Sequence, residues 1–158
     1  MIEVLVTGAS GYLGSYLVEY LKANHINVKG VSRKKKKGLV RVKNYKNLPN
    51  SKFIIYLSEE SNIKSFNKLD KKKIKNNQNV LSEISNKYKS NLIYASSSRV
   101  YSDKLNKKLS ENDKIKSNSK YEKNKIKCEN IVIKNNGIVL RISNIYGMKI
   151  KDESVLNV

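Results

Sequence analysis

The sequence predicts an α/β protein, a doubly wound parallel sheet with helices packed on its faces, and three observations predict it. A mostly apolar run over residues 2–7 feeds directly into glycines at Gly8, Gly11 and Gly14. Short β-branched or aromatic runs then alternate with helical patterns, as parallel strands joined by crossover helices require. The chain has 158 residues, enough for one domain and one core without disulfides or metal.

The first strand, 2–7, opens into a turn where each glycine has a physical reason. Gly8 lets the chain leave the strand sharply, Gly11 keeps a Cβ away from whatever approaches, and Gly14 lets the next helix press on the sheet. That helix carries Leu13, Leu17, Val18 and Leu21 on one face. Its N-terminus offers unpaired N–H groups and the positive end of a dipole, which favour an anion. The turn therefore reads as a cradle for the pyrophosphate of a dinucleotide.

Further strands are predicted at 27–32, 39–42, 53–58, 92–96 and 138–142, and helices after the first, fourth and fifth strands. Ser32 and Arg33 close the second strand; His25, in the turn before it, reads as solvated surface. About ten residues including Pro49 join the third strand to the fourth, too few for a packed crossover helix. An extended loop or single turn must cross roughly 15 Å of sheet there, at about 4.8 Å per strand. Leu57 and Ser58 end the fourth strand near the cradle, and Glu59 and Glu60, just past it and near the same crevice, read more readily as loop acids than as groups with a role there. The stretch 66–88 carries Leu69, Ile74, Val80, Leu81 and Ile84; the stretch 121–135 carries Ile126, Ile131 and Val132 before Gly137, a helix stop. No repeat or Pro/Ser-rich linker divides residues 1–158, which read as a single dinucleotide-binding domain.

The formal net charge is +20, which invites a nucleic-acid reading. The densest clusters, Lys34 to Lys37 and Lys71 to Lys73, lack the arginines and interleaved aromatics that read or stack bases. The charge is better read as solvated surface and steering of anionic ligands, with no nucleic-acid partner. Cys128 is the only cysteine and His25 the only histidine, so no internal disulfide, metal cluster or histidine triad is expected; Cys128 reads as a core or boundary thiol and not a nucleophile. No apolar stretch nears the roughly 20 residues that span a bilayer, and no leader precedes the first strand; a cytoplasmic protein without membrane contact is expected.

Three later segments fall on the rim that carries the glycine turn: Tyr94-Ala-Ser-Ser-Ser-Arg-Val-Tyr101, Tyr121-Glu-Lys-Asn-Lys125 and Leu140-Arg-Ile-Ser-Asn-Ile-Tyr-Gly147. Tyr121 and Lys125 are four apart and share a helix face. A free phenol has a pKa near 10, and acting as a base near neutrality takes about 4 kcal/mol of phenolate stabilisation. One cation about 4 Å away at an effective dielectric of about 20 supplies roughly that. Alone, such a pair in so Lys-rich a chain is as readily an accident of composition; beside the glycine turn and a serine-ended strand it is not.

These motifs, in this order, resemble the N-terminal part of an extended short-chain dehydrogenase/reductase, the group of sugar-nucleotide epimerases, dehydratases and reductases built on an NAD(P)-binding Rossmann fold. Thr7-Gly-Ala-Ser-Gly-Tyr-Leu-Gly14 resembles its cofactor motif and Tyr121 with Lys125 its catalytic pair. By the same resemblance Ser97 is the catalytic serine, orienting the reacting oxygen, and Asn144 faces the substrate. Gly8, Ser10, Gly11, Tyr12, Leu13, Gly14, Ser32, Arg33, Leu57, Ser58, Tyr121 and Lys125 are the implied cofactor contacts, and Ser97 and Asn144 the implied substrate contacts. The implied activity is hydride transfer at a sugar carbinol or ketone, with Tyr121 as acid and base and a nucleotide sugar as substrate. The alternative is a non-catalytic NAD(P)-binding module or remnant.

Departures from the family pattern sharpen these expectations. NAD-binding members usually end the second strand with an acid for the ribose 2′-OH; Ser32, Arg33 and the lysine run instead suit a 2′-phosphate, so NADP(H) is expected to be preferred, NAD(H) remaining usable. Family dehydratases carry Asp-Glu after the catalytic hydroxyl, where this chain has Ser98 and Arg99, which leaves epimerase or reductase. The family also carries a substrate-binding segment of comparable size after the sixth strand, whereas this chain stops at Val158; an incomplete sugar-nucleotide site is expected. The family's homodimer interface would include the Tyr121 helix, whose Lys120, Lys123, Lys127 and Lys134 leave pairing open.

Overall fold

A computed structural model describes residues 2–101 and 108–145. Six strands form one parallel sheet in the order β3-β2-β1-β4-β5-β6. They are β1 (Ile2–Thr7), β2 (Val28–Ser32), β3 (Val40–Arg41), β4 (Ser51–Tyr56), β5 (Leu92–Ser97) and β6 (Ile138–Ile142). The helices are α1 (Tyr12–Ala23), α2 (Ile63–Asn67), α3 (Lys71–Tyr88) and α4 (Lys120–Ile133). β1 is paired to β2 on one side and β4 on the other. The chain thus reverses direction across the sheet at β1, and a crevice opens there at the carboxyl ends of the strands.

Strand alternation divides the core between two faces. Leu5, Ile54, Tyr56, Leu92 and Tyr94 point to the face covered by α3 and α4, where they meet Leu81, Ile84, Cys128 and Val132. Val4, Val6, Ile55 and Leu57 point to the other, where Leu17, Val18 and Leu21 of α1 cover them. Two clusters, one per face, replace the single core expected. On β6 the alternation continues, but Ile138 and Leu140 are 49% and 48% exposed while Val139 between them packs inward.

The β3–β4 connection holds no helix. It crosses as an irregular segment anchored by Tyr45, which is buried, and Leu48, packed on the same cluster. The predicted 66–88 helix is two. Asn62 caps α2 by accepting from Ser65 N (2.9 Å), and Asp70 caps α3 by accepting from Lys73 N (2.6 Å). The break lies between them, and Lys120 Nζ donates to Leu69 O there (2.5 Å). β3 is only two residues long, and β4 ends at Tyr56, leaving Leu57 and Ser58 beyond it. Past α4 the left-handed residue is Asn136 (φ 61°), not Gly137.

Gly8 has φ +67°, and a Cβ there would stand 2.6 Å from Leu57 O; at Gly14 it would stand 2.5 Å from Gly8 O and 2.9 Å from Ala9 Cα. All are backbone atoms that cannot rotate away. Gly14→Ala is therefore expected to push α1 off the sheet at a cost of about 1–3 kcal/mol. Urea denaturation should show a lowered midpoint with an unchanged slope.

Candidate active site

The glycine turn is built by the strands on either side of it. Thr7, fully buried, accepts a hydrogen bond from Leu57 N at its Oγ1 (3.1 Å), tying the end of β1 to the end of β4. Ser32 Oγ donates to Ser10 Oγ (2.9 Å) and accepts from Lys34 N (3.0 Å), fixing the end of β2 against the turn. Gly11 is the N-cap of α1, and no side chain caps that helix. Arg33, next along, lays its guanidinium 5.5 Å from the centroid of the Tyr45 ring. Tyr45 in turn meets Tyr56 edge-on, and Tyr56 meets Tyr94, with centroids 6.3 and 6.4 Å apart.

α4 supplies the other wall, and its start is well defined. Ser119 Oγ accepts from Glu122 N (3.2 Å), while Glu122 Oε2 accepts from Ser119 N (2.9 Å) and Asn118 N (2.7 Å), a reciprocal capping box. Tyr121, one residue into the helix, is 5% exposed and packs edge-on against Phe66 of α2 at 5.4 Å. One turn on, Lys125 places Nζ 5.9 Å from the Tyr121 ring centroid and 5.0 Å from that of Tyr94. The next turn brings Glu129, fully buried, against β5 and β6. It accepts from Ser96 Oγ through a very short hydrogen bond and from Arg141 Nη2 (2.9 Å) and Nε (3.2 Å). Arg141 also donates to Tyr101 Oη (2.8 Å).

The unforeseen group is Glu59. Read from sequence as a loop acid, it is instead the buried partner of Lys125: Oε2 accepts from Lys125 Nζ (2.7 Å) and Tyr94 Oη (2.6 Å), and Oε1 from the Cys128 thiol (3.3 Å). The Lys125 and Glu59 side chains are only 6% and 9% exposed. Burial alone would lower the lysine pKa; the Glu59 charge foremost, with Tyr121, more than offsets it and holds the group above its ordinary value. Burial first, then the Glu59 charge, pushes the Tyr94 phenol and the Cys128 thiol up. Its place just past the fourth strand put Glu59 near the crevice, but no sequence signal marked its partner, which lies 66 residues away.

A cleft of about 1450 Å³ runs between these walls. Along one side stand Gly8, Ser10, Gly11, Tyr12, Leu13 and Gly14, with Ser32 and Arg33 at one end. Leu57, Ser58 and Glu59 lie on its floor, and Ser97, Tyr121, Lys125 and Asn144 on the far side. Every residue singled out in the sequence as a site candidate thus lines one cleft. Ser97 Oγ accepts from Arg99 N (3.3 Å) at the end of β5, and Asn144 is exposed beyond β6. Tyr146 and Gly147 of the third motif lie outside the described residues. Cys128 is buried in the core and His25 exposed, as read from sequence. Among the described residues, no helix is long and apolar enough to cross a membrane.

The model of the NAD dependent epimerase/dehydratase family matches residues 4–157. The chain belongs to that family. Among solved structures, it is similar to a UDP-N-acetylglucosamine 4-epimerase from Methanobrevibacter ruminantium in complex with UDP-N-acetylmuramic acid (TM-score 0.79, 21% identity, covering 98% of this chain and 58% of that one). It is also similar to MoeE5 in complex with UDP-glucose and NAD (0.76, 24%, 92% and 55%). A third is the human epimerase family protein SDR39U1 with NADPH (0.64, 18%, 88% and 52%). At these identities the likeness is one of fold. This family member spans a little over half the length of the solved structures it matches. No curated protein sequence matches it.

The raised pKa values of Lys125, Tyr94 and Cys128 fix the sign of the pH dependence, and those of Tyr56 and Arg141 act in the same direction. Lys125, Tyr94 and Cys128 each hold a proton more tightly when folded, so their stabilisation is complete below the unfolded values and is lost as pH rises through the folded ones. Cys128 has the lowest ordinary value, 9.0. The melting temperature is expected to fall above about pH 9, less steeply in Cys128→Ala, as thermal scans from pH 7 to 11 would record.

Proposed function

We propose that this chain is the cofactor-binding part of a nucleotide-sugar epimerase or reductase that prefers NADP(H) and accepts NAD(H). The observation that carries the reading is the convergence of Tyr121, Lys125 and Ser97 on the cleft that the glycine turn borders. The turn fits a dinucleotide: side chains are sterically excluded from Gly8 and Gly14, the start of α1 lacks a side-chain cap, and Ser58 Oγ is buried on the cleft floor without a hydrogen-bond partner among the described residues. The UDP-sugar ligands of two similar structures, and NAD or NADPH in two, support the substrate class and the cofactor type.

When bound, the nicotinamide would accept and return hydride. Tyr121 would take a proton from the sugar hydroxyl, or return one to the ketone oxygen, at its Oη. Ser97 Oγ would hold that oxygen in place. Lys125 would bind the cofactor ribose and stabilise the phenolate with its charge, and Asn144 would contact the substrate. Arg33, exposed past the end of β2 and beside Lys34, would pair a 2′-phosphate.

A second reading, a nucleotide-binding module without turnover, is favoured by the occupation of Lys125 by Glu59. It expects cofactor affinity with no hydride transfer to any UDP-sugar or keto-sugar.

Replacing Tyr121 by Phe should lower turnover by about 10²–10⁴-fold while NADPH still binds; surviving activity removes Tyr121 from the acid/base role. Arg33→Ala should weaken NADPH binding about tenfold, ~1.4 kcal/mol, and leave NADH untouched. Equal affinity of the unmodified chain for both cofactors, read by nicotinamide fluorescence, would contradict the NADP(H) preference.

A further inference from the structure

We infer that Glu59 is a positioning residue that parks Lys125 and competes with the cofactor for its ammonium, an inference that rests on the ribose-binding role proposed for Lys125. An ammonium has three N–H donors and no acceptor. Lys125 Nζ has three acceptors: Glu59 Oε2 at 2.7 Å, Ala95 O at 3.0 Å and Tyr94 Oη at 3.3 Å. The donors are therefore all engaged before any ligand arrives. Ala95 O is backbone of β5 and cannot withdraw. Tyr94 Oη gives its own proton to Glu59 (2.6 Å), so toward Lys125 it can only accept. The carboxylate is held in its turn by Lys125, Tyr94 and the Cys128 thiol.

A ribose hydroxyl can reach Lys125 only by displacing one of these three acceptors, and Glu59 is the one that also carries charge. Because the pair is nearly dry, solvent does little to screen it. The positive charge that would hold a ribose hydroxyl at this end of the cleft, and that would favour a phenolate at Tyr121, is offset by a carboxylate at hydrogen-bond distance. Glu59 thereby sets a threshold on cofactor affinity. Glu60, its neighbour, is exposed and has no part in this.

The test is a double-mutant cycle read by titration with NADPH and NADH. Glu59→Gln, which keeps the shape and removes the charge, should lower Kd about tenfold, equivalent to ~1.4 kcal/mol. The gain should vanish when Lys125 is also replaced by Met, because no ammonium is then left to release. A purely structural role for Glu59 would lower the melting temperature in both backgrounds and leave affinity unchanged or weaker. If Lys125→Met weakens binding but Glu59→Gln does not tighten it, the inference fails and the role of Lys125 stands. If Lys125→Met binds as well as the unmodified chain, the ribose role falls, and the inference with it. Should the Gln variant not fold, Glu59→Asp, which retains the charge but withdraws it by one methylene, should tighten binding about threefold; no gain overturns the inference.

Discussion

Everything at the cleft depends on how closely the turn after β1 approaches the end of β4. Leu57 O would stand 2.6 Å from a Cβ at Gly8, and Gly8 O 2.5 Å from one at Gly14. Thr7 closes the junction by accepting from Leu57 N. This contact brings the uncapped start of α1 to the point where β2 and β4 diverge on either side of β1, the one place in such a sheet where the carboxyl ends leave a crevice. It also places Leu57, Ser58 and Glu59 opposite α4. A turn even one methyl group wider would separate the anion-favouring helix start from the wall that carries Tyr121 and Lys125.

That wall is held by two ion pairs of opposite polarity. Tyr121, Lys125 and Glu129 follow one another at four-residue spacing, so they share one face of α4. Lys125 is paired to Glu59 beyond β4, and Glu129 to Arg141 on β6. A buried ion pair is weak evidence for net stability, since desolvation consumes most of the attraction, but a helix displaced from such a pair leaves a buried charge uncompensated. The two pairs penalise rotation or sliding of α4 more than they stabilise the fold. The capping box at Ser119 and Glu122 fixes where the helix begins, one residue before Tyr121. The orientation of the phenol is therefore set from three directions.

Most of the sheet was legible because each strand announces itself locally: residues 2–7, 92–96 and 138–142 are short apolar or β-branched runs, and the glycine turn has one steric explanation. The 66–88 helix was misread because hydrophobic spacing continues across Leu69 and Ile74 while Asp70, a short acid able to cap, interrupts the backbone between them. The signal was present in the residue type and outweighed by the periodicity. Tyr45 was harder: its burial depends on Arg33, Tyr56 and a loop that spans three strands, none of it local. Glu59 was legible only as an acid near the crevice, not as the partner of Lys125. Its neighbours in sequence, Ser58, Glu60 and Ser61, describe a polar loop, and only the fold brings Lys125, Tyr94 and Cys128 around it.

The acids of this chain show how specifically its charge is arranged. Against 33 lysines and arginines there are 13 aspartates and glutamates, and among the described residues Lys125 is the only cation that is fully buried. Among the described residues, Glu122, Glu129 and the side chain of Glu59 are the acids withdrawn from solvent, and all three act on α4: one caps its start, one pairs its centre, one ties its second half to β6. A solvated lysine needs no partner, so the excess of cations can drift over the surface with little structural consequence. A buried one does need a partner, and the chain places one of its few carboxylates there. The large net charge thus says little about the site, whereas the position of three acids defines the helix on which the proposed chemistry rests.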